Sequence, residues 1–213
     1  METNSRSMPK LQDFSFERVI AAVNVVEDRL TRSADALHRA GIPYALIGGR
    51  AAMAWVESIE PSAIRYTPNV DHLICRDDAT RDGQALEQSG FEYRDWKSRP
   101  CFVERPSVAV RSGVRFVFAD EFFNPGDLLP IPRLDEALQF DNIRVIALEG
   151  LVRMKLTAFR TIDRVHLDDL LRVGLFDQNW VNRFPQVLSA RLQEILDRFE
   201  PDPDNIGSEH WTE

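Results

Sequence analysis

The sequence predicts a mixed α/β (α+β) fold: a mixed sheet flanked by helices, with a small helical part at the C-terminal end. Three observations carry that expectation. Apolar residues recur at helical spacing from Phe14 to Leu37. A short apolar strand, Tyr44–Ile47, then runs into Gly48-Gly49 and at once into a small-residue helix, Ala51–Trp55. Short β-rich segments separated by turn residues follow, and helical periodicity returns after Ile146. Strands and helices in this order layer around one core.

Residues 1–12 are polar and are expected to fray. In the first helical segment Val19, Ala22, Val23, Val26, Leu30, Ala34 and Leu37 share a face, and Gly41 supplies a C-terminal stop, so one long helix or two consecutive ones are expected. Val70–Cys75, with Asp71 at its start, is the second apolar strand. A helix opened by Asp77 or Asp78 and closed by Gly90 comes next. Phe91–Arg94, Pro100–Val103, Val108–Arg111 and Arg115–Phe118 are predicted as strands of a meander, and the proline-rich Asn124–Arg133 as an extended surface loop. Ile143–Ile146 is a last strand, followed by helices at Leu148–Phe159, Arg164–Val173 and Pro185–Phe199. The chain thus divides into a frayed 1–12, an α/β core over 13–143, a strand and helices over 144–199, and a disordered acidic tail over 200–213, with Phe140–Ile143 as the candidate hinge.

The 213 residues are 44% hydrophobic and 28% charged, which is the composition of a soluble globular chain. No apolar run reaches membrane-spanning length and the first residues lack a signal-peptide core, so a cytoplasmic protein without membrane contact is expected. Cys75 and Cys101 have neither metal-ligand nor disulfide-framework spacing and are expected as buried, reduced thiols. A net charge of −8 argues against a broad nucleic-acid-binding surface. Arg94, Lys97, Arg99, Arg105, Arg111 and Arg115 nevertheless crowd one stretch, either as a solvated face or as a contact for a phosphate or an acidic partner.

A glycine pair at a strand-to-helix turn lets the backbone approach a ligand closely and leaves N–H groups facing an anion. A carboxylate at the start of the neighbouring strand, Asp71, is placed to hold a magnesium ion bridging to those phosphates. Gly48 and Gly49, with Arg50, Arg65 and Thr67 beside them, therefore outline a nucleotide-triphosphate site. His72 alternates to the opposite face and is read as a packed core or edge histidine. His166 is open to two readings, a proton-transfer role or pairing with Asp163 or Asp169. Phe122-Phe123 is read as satellite core, with an exposed contact patch as the alternative. No P-loop, nucleophile elbow, dinucleotide fingerprint or zinc spacing is present.

Three stretches taken in order carry a resemblance. They are the helix–strand–Gly-Gly–helix of Ala36–Trp55; Arg65-x-Thr67-x-Asn69-Val70-Asp71, beside the pattern R-x-T-x-D-[IV]-D; and Val145–Asp177, beside C-terminal helices with a lysine and a K-D-x-x-D-[IL] segment. Together they resemble the nucleotidyltransferase superfamily, typified by DNA polymerase beta and the aminoglycoside nucleotidyltransferases. Within it they resemble the small bacterial abortive-infection and minimal nucleotidyltransferases, many of them toxin–antitoxin components. The resemblance implies that Gly48 and Gly49 present N–H groups to nucleotide phosphates, that Lys155 meets phosphates, and that Asp71 is one of a pair of metal-binding carboxylates. Two magnesium ions would then activate an acceptor hydroxyl and neutralise pyrophosphate, transferring a nucleoside monophosphate from an NTP.

The sequence departs from that pattern. Asn69 stands where the first carboxylate belongs and offers magnesium only a neutral oxygen. The strand Arg115–Phe118, where a third acid is expected, has none; Asp120 and Glu121 lie just beyond it, in a loop. Ile162 replaces a family lysine, and Asp163 and Asp169 are read as a helix cap and a buried anchor, with a direct catalytic role as the alternative. The metal site implied is degenerate. Two functions are expected from it: a weak magnesium-dependent transferase, or a nucleotide- or protein-binding module with a possible protein partner.

Overall fold

The computed structural model describes residues 15–63, 67–95, 99–104 and 112–199. The first element is one continuous helix, α1 (Phe16–Arg39), whose stripe of Val26, Leu30, Ala34 and Leu37 is buried while Ile20 and Val25 in its early turns are 58% and 50% exposed. Gly41, at φ +65, ends it in the left-handed conformation that glycine alone adopts freely. Arg29 is buried and ties α1 to the sheet, donating to Glu104 at 2.6 Å and to the Pro68 carbonyl at 2.8 Å.

Strand β1 (Ala45–Ile47) leads directly into α2 (Gly48–Glu57), and β2 (Val70–Ile74) into a single 3-10 turn and α3 (Ala79–Gln88). The remaining elements are β3 (Phe91–Asp95), β4 (Pro100–Glu104), β5 (Val114–Phe118), β6 (Ala137–Phe140), β7 (Ile143–Ile146), α4 (Leu148–Ala158), α5 (Thr161–Arg172) and α6 (Gln186–Arg198). The strands form one mixed sheet in the order β3-β4-β5-β2-β1-β7-β6. Strands β2 and β5 are parallel, as are β1 and β7, while β1 and β2 are antiparallel. The central strands are buried on both faces, so β1 reads as an apolar run, not as an alternation.

The hydrophobic core is continuous from α1 through the sheet to Leu151, Leu167, Leu170, Leu188 and Leu192 of the C-terminal helices. Phe140–Ile143 is not a hinge: Phe140 pairs with Ile143 across a tight β6–β7 hairpin that turns at Asp141, φ 44. The sequence pattern did not announce β6, because Leu138 and Gln139 both face solvent on this edge strand. The loop Asn124–Arg133 does not merely cross the surface: Ile131 donates to the Glu121 carbonyl, just beyond β5, at 2.8 Å and its side chain is buried in the core.

Cys101 is buried, but Cys75 is exposed at the end of β2, where the strand leaves the sheet. Phe123 packs on the core, but Phe122 is 59% exposed, so only half of that pair is satellite core. Asp78 precedes α3 without capping it through its side chain. The expected strand Val108–Arg111, the frayed 1–12, the acidic 200–213 and the residues Arg65, Lys97, Arg105 and Arg111 lie outside the described residues. Among the described residues no helix is long and apolar enough to cross a membrane.

Candidate functional site

The turn from β1 into α2 brings Gly48 against Asp71. The antiparallel register pairs Ile47 with Asp71, and Gly48 follows at φ +73. A Cβ on Gly48 would stand 2.5 Å from Asp71 Oδ2, so the close approach needs glycine both for its backbone angle and for its lack of a side chain. Gly49 is crowded differently: its Cβ would lie 2.9 Å from Thr67 Oγ1 and 3.2 Å from His166 Cε1. Helix α2 has no side-chain cap: Ile47, the residue before it, makes no capping bond to its first N–H groups.

Asp71 does not stand alone. The parallel β2–β5 ladder pairs it with Arg115, and two residues opposite one another on adjacent strands share a face. Arg115 Nε donates to Asp71 Oδ1 at 2.7 Å and its Nη2 to Oδ2 at 3.1 Å, a fork that occupies both carboxylate oxygens.

These residues form one wall of a cleft of about 570 Å³. Ile47, Gly48, Asp71 and Arg115 line the sheet side; Leu151, Met154, Lys155, Arg160 and Asp163 line the helical side; Arg99 and the loop residues Phe123, Asn124, Asp127, Leu129 and Ile131 line a third. Helix α4 ends at Phe159 in the left-handed conformation, φ 46, with Arg164 stacked over its ring at 4.3 Å. The chain therefore doubles back, and α5 returns Asp163 and His166 to Lys155.

Lys155 is 5% exposed, and its Nζ donates to Asp163 Oδ1 at 3.0 Å and to His166 Nδ1 at 2.9 Å. An ammonium only donates, so His166 accepts at Nδ1 and carries its proton on Nε2, on the side that faces Gly49. Burial holds the Lys155 ammonium below its ordinary range, with Asp163 working against that shift. Burial alone would raise Asp163, but the Arg160 hydrogen bond and the Lys155 charge outweigh it and keep the carboxyl low. Asp163 also takes the Arg160 backbone N–H at 3.3 Å and thus closes the first turn of α5. His72, on the opposite face of β2, is fully buried with Nε2 2.8 Å from Ser33 Oγ, and burial pushes its pKa down to about 3.

The structure therefore gathers Gly48, Asp71 and Lys155 on the cleft, and Thr67 and His166 around Gly49. Arg50 turns away and pairs with Glu27 of α1 at 2.7 Å. Asn69 precedes β2 and is not among the residues lining the cleft. Glu121 pairs with Arg76 outside it. Arg115, the residue that defines the site, was legible only as part of a basic stretch; recognising its role requires the β2–β5 register.

The resemblance implies magnesium on Asp71 and Asn69, and the residues present do not fit it. Both Asp71 oxygens accept from a guanidinium that does not deprotonate in proteins, and Asn69 offers only a neutral oxygen. Among the described residues no group of three or more His, Cys, Asp or Glu side chains converges to hold a metal.

No protein-family model and no curated protein matches this chain. Solved structures do. The solution structure of the antibiotic-resistance factor ANT(2'')-Ia aligns with a TM-score of 0.52 at 9% identity, over 83% of this chain and 94% of that one. A crystal structure of ANT(2'')-Ia in complex with adenylyl-2''-tobramycin gives 0.50 at 12% identity, over 82% and 98%. An antigenic nucleotidyltransferase-like protein from Paracoccidioides brasiliensis gives 0.47 at 16% identity, over 87% and 90%. The chain has the nucleotidyltransferase fold.

Proposed function

We propose that the protein is a nucleotide-binding module built on this fold, with little or no nucleotidyl-transfer activity. The observation that carries the reading is the Arg115–Asp71 fork. Transfer of a nucleoside monophosphate needs a cation that both activates the acceptor hydroxyl and neutralises the departing pyrophosphate. Here the carboxylate that would hold such a cation is committed to an arginine. Binding, in contrast, is still provided for. The cleft has the volume of a small-molecule site, and among the described residues four cations line it: Arg99, Arg115, Lys155 and Arg160. The uncapped start of α2 offers backbone N–H groups and the positive end of the helix to a phosphate. Leu129, Leu151 and Met154 give an apolar surface for the base and ribose.

The ANT(2'')-Ia complex holds an adenylylated aminoglycoside, which supports a nucleotide as the ligand class of this fold. Calorimetric titration with each of the four NTPs in magnesium buffer tests the reading. Binding of at least one NTP, weakened by Lys155→Met, is expected. Absence of heat with all four would contradict it. The first expectation from the sequence, slow magnesium-dependent transfer, would require Arg115 to leave Asp71 and is favoured only if metal-dependent pyrophosphate release is detected.

A further inference from the structure

We infer that Arg115 is a resident counter-cation that takes the place of a divalent ion in this cleft, so that a phosphate-bearing ligand is bound without metal. The inference rests on the nucleotide-binding reading for its ligand but on the β2–β5 register for its cation. Asp71 and Arg115 are direct partners on parallel strands, on the face that closes over Gly48. The guanidinium therefore stands against the carboxylate that would hold a cation here, and the shorter of its two bonds to Asp71, 2.7 Å, is of charge-assisted length, the other being 3.1 Å.

The charges around the cleft agree. Among the described residues its walls hold Arg99, Arg115, Lys155 and Arg160 against Asp71, Asp127 and Asp163, four cations to three carboxylates. Arg115 answers Asp71, while Lys155 and Arg160 answer Asp163. Arg99 is fixed by neutral oxygens, the Phe123 carbonyl at 2.7 Å and the Asn124 amide at 3.3 Å. A cleft in that state repels an added divalent cation and accepts an anion.

Two measurements test this. Electron paramagnetic resonance of Mn²⁺ mixed with the wild-type chain should give the spectrum of free Mn²⁺. Arg115→Asp, which sets two carboxylates opposite one another on the same face, should bind the ion, and Asp71→Asn in that background should abolish the gain. Calorimetry with the tightest-binding NTP should give a Kd that changes by less than about twofold between magnesium buffer and EDTA, whereas Arg115→Met should weaken binding in EDTA about tenfold or more by leaving Asp71 facing the phosphates uncompensated. Mn²⁺ bound by the wild type and lost in Asp71→Asn would overturn the inference, as would NTP binding that disappears in EDTA. An absence of NTP binding in both buffers would instead overturn the nucleotide reading, and the Mn²⁺ spectra would still decide whether Arg115 holds the metal position. The wild-type measurements need no variant to fold, and the melting transition of each variant shows whether its result concerns the site.

Discussion

Lys155 Nζ donates to His166 Nδ1 at 2.9 Å in a buried corner where Asp163 supplies the balancing charge. Removing one member of such a group leaves the other charge buried without compensation, which is costlier than replacing both. Asp163→Asn is therefore expected to destabilise the fold by about 3–5 kcal/mol, because Lys155 and Arg160 then lose the carboxylate charge they share. Lys155→Met should cost about 1–3 kcal/mol, since Asp163 keeps Arg160. The double variant should lie well below the sum. Urea unfolding of the three variants measures this coupling; additive losses would mean that the two side chains do not act together.

Glycine at the cleft turn gives a second expectation. Gly49→Ala places a methyl group 2.9 Å from Thr67 Oγ1 and 3.2 Å from the His166 ring. A loss of about 1–3 kcal/mol follows from overpacking. Thr67→Ala in the same chain removes the nearest atom and should restore part of that loss. Gly48→Ala should not be rescued this way, because φ +73 is unfavourable to alanine whatever stands nearby. Thermal unfolding of the single and double variants separates the two cases.

Asp82 on α3 is fully buried, and neither of its carboxylate oxygens has a hydrogen-bond partner among the described residues. Burial first, and the Asp78 charge second, raise its pKa from 3.8 to about 7. The folded chain thus holds this proton more tightly than the unfolded chain does. The site costs nothing below pH 3.8, where both states are protonated; stability then falls as pH rises, and the full cost is present above about pH 7. Asp82→Asn should accordingly raise stability by about 1–3 kcal/mol at alkaline pH and change little at acid pH. Melting temperatures across the range check the trend, and an equal gain at every pH would refute it.

His72 works in the opposite direction. Its folded pKa of about 3 lies below the ordinary 6.5, so the folded chain resists protonation and loses stability as pH falls through that window. His72→Phe is expected to flatten the acid limb of the stability profile, at the cost of the Ser33 hydrogen bond. A limb of unchanged slope would show that acid unfolding begins elsewhere.

The part of the site that lies on one continuous segment was legible in the sequence. A strand entering Gly48-Gly49 announced the turn, and period-two alternation correctly sent Asp71 and His72 to opposite faces of β2. Arg50 shows the same geometry overlooked: at about 100° per residue it lies about 200° round α2 from Gly48, which turns it toward Glu27. What was not legible is what depends on adjacency between distant strands. Residue spacing says nothing of β5 lying parallel to β2, so Arg115 read as one arginine among several and Phe118's strand only as one lacking an acid. The resemblance named the missing carboxylates. It could not show that Arg115 faces Asp71 from the neighbouring strand.

The central claim is that this cation closes the metal position and with it the transfer chemistry. The most direct measurement is release of labelled pyrophosphate from the four NTPs, with magnesium or manganese and a cell extract as the source of acceptor, by the wild type and by Asp71→Ala. The account predicts release at background level for both proteins. Metal-dependent release by the wild type that is lost in Asp71→Ala would contradict it.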